Sequence, residues 1–455
     1  MKGEGSVVKL HEIAIATFVT VMLAIAARAD PQAQDSESKH LGVKSCSGDN
    51  CHGAVKPADH SAVMQNEYLI WSQEADKDRV DKHHRAYAML SDERGTRIAH
   101  NLGLPDAVTA EICLNCHADN VPEARRGPRF EISDGVGCEA CHGGAEKWLG
   151  VHLSGAGHKA NLDAGLYPTE KPVARAEKCL SCHFGDPSDK NRFVTHLIMG
   201  AGHPRMGFEL DTYTAAEPAH FKVSPKYIER KGPVNDVQVW AVGQAISLVR
   251  RMDAILEPKN APKGIQPELV LFDCQSCHHA VSQIRWQPRK STGLGPGSLQ
   301  LYDANAVMLR VIAACVAPTA AKALHEHMLA LHHATTINWD TVVREAKEVR
   351  RAAIELENSV SGHDFTRDDM KALAEGVIAI GLTDDDTDGS GAEQATMALG
   401  SIVSAMRMSG YLSPEQTKVM NDALIGLNKS IADDATYQPA TFVTALKDFQ
   451  KAIPQ

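Results

Sequence analysis

Apolar residues recur every three or four positions through six stretches of the C-terminal third: 305–334, 340–359, 367–381, 393–410, 414–431 and 439–452. That period belongs to helices with one buried face. Thr366, Ser413 and Gln438-Pro439 stand where helix starts are expected. The pattern predicts a domain of four to six helices over 298–455, packed through its own apolar stripes. Upstream the pattern is thinner. Helical spacing runs over 65–90, 107–117 and 239–256, interrupted by a Pro-, Gly- and charge-rich connection at 217–235 and by GLGPG at 293–297. The fold class expected is mainly α with little strand.

Composition changes this picture. Aromatic residues are only 5% of the 455, too few for side chains alone to fill the core of the first two-thirds. The cysteines show what could fill it. Between Cys113 and His183, 71 residues, C-x-x-C-H occurs three times: Cys113/Cys116/His117, Cys138/Cys141/His142 and Cys179/Cys182/His183. A fourth copy follows at Cys274/Cys277/His278, and a looser C-x4-C-H precedes them at Cys46/Cys51/His52. Ten of the eleven cysteines are used in this way. Two cysteines three apart reach the two vinyl groups of one porphyrin, and the adjacent His turns onto its iron. Disulfides or zinc knuckles do not require a His after every second Cys. The motifs predict five covalent haem c groups within residues 30–297, all buried in a haem-packed core there.

Residues 1–29 read as a signal peptide. Lys2 and Lys9 precede an apolar run from Ile13 to Ile25, and Ala27-Arg28-Ala29 offers cleavage after Ala29. Thirteen apolar residues are too few to span a bilayer, so no membrane span is expected in the mature chain. Covalent haem attachment outside the inner membrane agrees with a periplasmic or otherwise exported protein. The formal charge of −10 lies mostly in residues 301–455, which carry −8. Nucleic acid is a poor partner for such a chain. Redox partner proteins, or a larger redox complex of which this is a subunit, suit it better.

Each iron needs a sixth ligand or stays open. Sixteen histidines lie outside the motifs and the leader, and spacing alone does not choose among them. GVGCEACHGGAEKW followed by His152, together with HHRAYAML, resembles the multihaem family that includes the tetrahaem cytochrome accepting electrons from hydroxylamine oxidoreductase. The resemblance runs from about Cys46 to Gln287. It implies His83 as a distal ligand, with His84 as the alternative if the register slips, and His152 as a second. THLIMGAGHPRMGFEL is similar to a segment of larger multihaem relatives and offers His196 and His203; His220, in EPAHF, makes a fifth. The fifth motif, the C-x4-C-H and the helical tail depart from the tetrahaem pattern, which leaves the pairing order open.

Two other signals are weaker. Asp384, Asp386, Asp388 and Gly389 match part of a calcium loop, but position twelve is Ala395, so an acidic inter-helix loop is the default reading. Cys315 and the histidines at 325, 327, 332 and 333 read as core or surface residues of the tail. The chain as a whole reads as an electron-transferring cytochrome c rather than an enzyme, with no catalytic residue assigned. The competing reading is a multihaem oxidoreductase acting on a small nitrogen or sulfur compound at one five-coordinate haem. Against it, every motif ends in His.

Overall fold

The computed structural model describes residues 38–58, 63–72, 81–264, 266–278, 292–294, 298–383, 388–434 and 436–454. The leader, His60, His279, the GPG of the composition break and most of the acidic 384–388 loop lie outside them. Among the described residues the order is α1 (Glu67–Ser72), α2 (Lys82–Arg85), α3 (Glu93–Asn101), α4 (Glu111–His117), α5 (Cys138–His142), α6 (Leu149–Leu153), α7 (His158–Asp163), α8 (Pro172–His183), α9 (His196–Gly200), α10 (Leu210–Ala216), α11 (Pro225–Lys231) and α12 (Asp236–Leu256). The C-terminal part follows as α13 (Ala304–Val316), α14 (Pro318–Ala334), α15 (Trp339–Ser361), α16 (Arg367–Leu382), α17 (Gly389–Met408), α18 (Pro414–Ser430) and α19 (Pro439–Ala452). Pairing of β type is confined, among these residues, to isolated bridges such as Gly185–Phe193 and Phe272–Leu301. The chain is mainly helical, as the patterning predicts.

Local sequence explains the helix starts of the tail. Thr366 and Ser413 close capping boxes with Asp369 and Gln416, and Pro439 occupies the first turn of α19. One expectation needs correction. The stripe over 305–334 is two helices, because Pro318 keeps Ala317 out of the helical conformation (φ −153°, ψ 69°) and begins α14 anew.

The two parts of the chain bury their apolar surface differently. Upstream of α8 the apolar cluster is small: Leu90, Ala99, Ala107, Leu114 and Ala118. The large cores belong to the tail, and they do not stop at residue 297. Trp240, Val239 and Val242 of α12 pack with Met308, Ile402 and Phe442, and Leu180 of α8 joins the same cluster. The C-terminal half of α12, through Leu248 and Met252, packs with Leu324 and Leu356. A buried polar chain reinforces the seam: Asn305 donates to Gln244 (2.8 Å), Gln244 to Gln394 (2.8 Å), and Gln394 to the Phe208 carbonyl (3.0 Å). The expected division at 297 therefore does not divide the core. A composition break marks where motifs end, whereas α12 is apolar on most of its circumference and needs partners on both sides.

The start of α10 holds a titrating group. Glu209 accepts from the Asp211 and Thr212 amides at 2.9 and 2.7 Å. Asp211 is pushed up to about 8 by burial, with Asp236 and Glu209 adding like charge. Its folded value exceeds the ordinary 3.8, so the folded state holds the proton more tightly. The associated stability is complete below the ordinary value and is lost as pH rises toward about 8. Asp211→Asn should remove this dependence. Relative to the unaltered protein, the variant should gain on the order of a few kcal/mol across the window, read as a melting-temperature difference that widens with pH. A difference independent of pH would show that Asp211 is ionised in the fold.

Candidate haem-binding sites

The i, i+3, i+4 spacing puts both cysteines and the histidine of a motif on one helical face. α4 ends on Cys113, Cys116 and His117; α5 consists of Cys138–His142; and α8 ends on Cys179, Cys182 and His183. The first motif has no helix, but its longer loop is compact. The His52 amide donates to Cys46 O (3.1 Å), and the Cys51 and Gly53 amides to Gly48 O (2.8 and 3.0 Å). A Cβ at Gly53 would run into the Ser47 carbonyl, so the tight return depends on glycine.

The last motif departs from the expectation of five buried seats. Cys277 is exposed, and so is His278, whereas the other nine motif cysteines are half-buried. The reason is local. Asp273 caps a single 3₁₀ turn, Cys274–Ser276, and Cys277 (φ −120°, ψ −39°) already lies past its end. No α-helix carries Cys277 onto the face of Cys274, and the turn is too short to bury both cysteines against a neighbouring element. The same C-x-x-C-H spacing thus sits at the surface here, with Cys277 and His278 both exposed.

The first four motifs open onto one cavity of about 1580 Å³. His52, His117, His142 and His183 line it, and so do His83, His152, His203 and His220. Across the protein the motif imidazoles face others. His52 and His152 have ring centroids 6.0 Å apart, His183 and His83 6.2 Å, His117 and His203 6.4 Å, and His278 and His196 6.0 Å. His142 has no such facing ring among the described residues. His220 is the first charged group to bear on it, after burial, which together push His142 down to about 3. The His220 ring stacks edge-on with Phe221.

The outer nitrogens of these rings are tied down. The His52 Nδ1 lies 2.8 Å from Glu67 Oε2, His83 Nδ1 3.3 Å from Asp81, His117 Nδ1 3.0 Å from the Ala86 carbonyl, and His203 Nδ1 2.7 Å from the Pro204 carbonyl. A bond at Nδ1 fixes the ring and leaves Nε2 for a metal. Burial, with the His83 charge after it, pushes His183 down to about 4, so it is neutral at pH 7. Imidazoles set in pairs, beside thiols on the same helical faces, are the donor set that haem c requires; the residues fit the group.

The arrangement separates the histidines the sequence could not. His83 faces a motif histidine, whereas His84 packs against Trp71 at 4.4 Å. His40 is held by Asp119 (2.7 Å), His158 by Glu170 (3.0 Å) and His332 by Asp303 (3.0 Å), which accounts for them structurally. Cys315 donates to Asp369 at 3.2 Å on the tail. The structure also joins motifs that are not neighbours in sequence. Cys46 lies beside Cys138, and Cys116 beside Cys182; the Cys116 neighbour, with Arg192 behind it, pushes Cys182 down to about 5. The first motif thus adjoins the third, and the second adjoins the fourth. Nothing in the spacing signals this.

Residues 50–143 match the model of the family described as cytochrome c554 and c-prime. The match supports a cytochrome c family for this chain. The matched stretch holds the second and third motifs and the Cys51-His52 end of the first. No curated protein and no solved structure matches the chain. A multihaem c-type cytochrome with covalently bound haem and an electron-transfer role accords with the match and with the helical fold. None of the described helices is long and apolar enough to cross a membrane.

Proposed function

We propose that this cytochrome is a periplasmic electron carrier that holds five haems between its motif histidines and His152, His203, His220, His83 and His196, in motif order. Bound haem supplies one-electron chemistry at iron; the chain supplies ligands, spacing and a low-dielectric surround. The observation that supports this reading is the pairing of imidazoles at 6.0 to 6.4 Å between centroids. Two imidazoles at this spacing would hold an iron between them. Bis-imidazole sites leave no position for substrate and favour low potentials. A single cavity lined by the first four motif histidines supports passage of electrons between their sites. Donor and acceptor are redox proteins that exchange electrons at the edge of this array. The exposure of Cys277 and His278 supports reading the fifth site as such an edge.

The enzyme reading keeps one specific support: His142 lacks an imidazole at the pair spacing, so its iron is where a small nitrogen or sulfur compound would bind. The experiment compares reduced protein with and without carbon monoxide. The carrier reading expects little spectral shift, and His83→Ala should convert one haem to high-spin without detaching it. Turnover of nitrite or hydroxylamine at the His142 site, lost when that site is blocked, would overturn the carrier.

A further inference from the structure

His203 sits on a short irregular segment between α9 and α10, and its surroundings are unequal on its two sides. Before it, Gly202 adopts φ +120°, and the bonds that hold the turn are local to α9 and α3: the Ala201, Gly202 and His203 amides donate to the Leu197, Met199 and Ile198 carbonyls (3.0, 2.9 and 3.3 Å), and Asn101 Nδ2 donates to the Ala201 carbonyl (3.0 Å). After it, the tail grips the chain. Arg205 Nε and Nη2 donate to Asp434 at 2.5 and 3.0 Å, and Nη1 donates to Glu393 at 2.7 Å. Glu393 is on α17, and Asp434 lies between α18 and α19. Two residues on, a Cβ at Gly207 would lie 3.1 Å from the Glu393 carboxylate. Gln394 then holds the Phe208 carbonyl, and Phe208 and Leu210 enter the tail's core. Arg205 is thus the attachment nearest His203 on that side, and it reaches two separate parts of the tail.

We propose that Arg205 is a positioning residue through which the C-terminal helices hold His203 against His117, so that the tail controls whether the second-motif haem has its sixth ligand. This rests on His203 being that ligand. Geometry gives the reason for an arginine. Its planar fork binds one carboxylate with two donors while a third donor reaches another, which fixes the backbone direction at 205 as well as its place. A lysine offers a point charge and fixes less. His203 makes its own bond to the neighbouring Pro204 carbonyl, so ring and backbone move together. A shift of the 203–205 backbone therefore carries the imidazole away from its partner.

The tail carries no haem motif, and this gives it a part in the redox site without contact with the iron. Variants of the full-length holoprotein test it. His203→Ala sets the reference and should leave five haems with one of them high-spin. Arg205→Ala should keep five haems and raise the open fraction at that one site at least about tenfold, read by electron paramagnetic resonance and by carbon monoxide binding. Arg205→Lys should restore only part of the low-spin signal, because a single ammonium cannot hold both carboxylates in the same geometry. Glu393→Gln with Asp434→Asn, altered only on the tail, should reproduce the Arg205→Ala spectrum, and this variant decides the matter if Arg205→Ala loses haem or fails to fold. A low-spin spectrum in the tail variant beside a high-spin His203→Ala would overturn the inference while leaving the ligand in place. An unchanged spectrum in His203→Ala would overturn the ligand assignment itself, and the inference with it.

Discussion

Denatured intact protein should carry five haem additions, and Cys46→Ala with Cys51→Ala should leave four and remove about one-fifth of the haem absorbance. The first motif is the critical one, because four residues separate its cysteines instead of two. The fold answers the difficulty. Backbone bonds draw His52 back onto Cys46, and His52 faces His152 at the same spacing as the other pairs. The measurement also separates haem attachment from disulfides. Cys46 adjoins Cys138, and Cys116 adjoins Cys182; two disulfides there would lower the mass by four hydrogens and add nothing. Four additions in the unaltered protein would mean that one site goes unused. Peptide mapping then tells the C-x4-C-H site from the exposed Cys274/Cys277 site.

The tail expressed from residue 298 should be helical by circular dichroism yet melt without a cooperative transition, whereas a fragment beginning at α12 should regain one. Trp240, Leu248 and Met252 are at most 1% exposed, with tail residues around them. Each large apolar side chain removed from such a site forfeits roughly 1.5–3 kcal/mol of burial. α12 contributes several of them, which together rival the roughly 5–15 kcal/mol that holds a whole domain. The loss is therefore close to total rather than partial. A sharp melting transition in the 298–455 fragment would show that the tail packs without α12, and would restore a boundary at the composition break.

Sequence and structure agree where the information is local. The C-x-x-C-H spacing is an intrahelical relation, and three of the motifs do sit on helix ends with both cysteines and the histidine on one face. The copy ending in Cys277 and His278 marks the limit of that rule, since identical spacing on a 3₁₀ turn leaves both residues exposed. Capping at Thr366 and Ser413 is equally local, since each cap bonds within its own first turn. Pro318 is legible in the same way: its ring disfavours a helical conformation for the residue before it, and the stripe across it looks continuous only because apolar residues lie on both sides.

The chain by itself determined that the fold is mainly helical, and it pointed to the motif cysteines as haem attachment points and to a set of histidines as candidates for the distal positions. Only the tertiary structure decided which imidazole meets which. His52 and His152 are 100 residues apart, as are His83 and His183, while His117 and His203 are 86 apart; their meeting depends on loop paths that no local pattern encodes. The same holds for His83 over His84, two neighbours of one chemistry that point to different places. It holds also for α12, whose apolar circumference announces burial but not the partner. Local bonding fixes a residue's conformation within a turn or two, whereas a facing ring or a shared core depends on how distant segments pack together, and that is a property of the assembled chain.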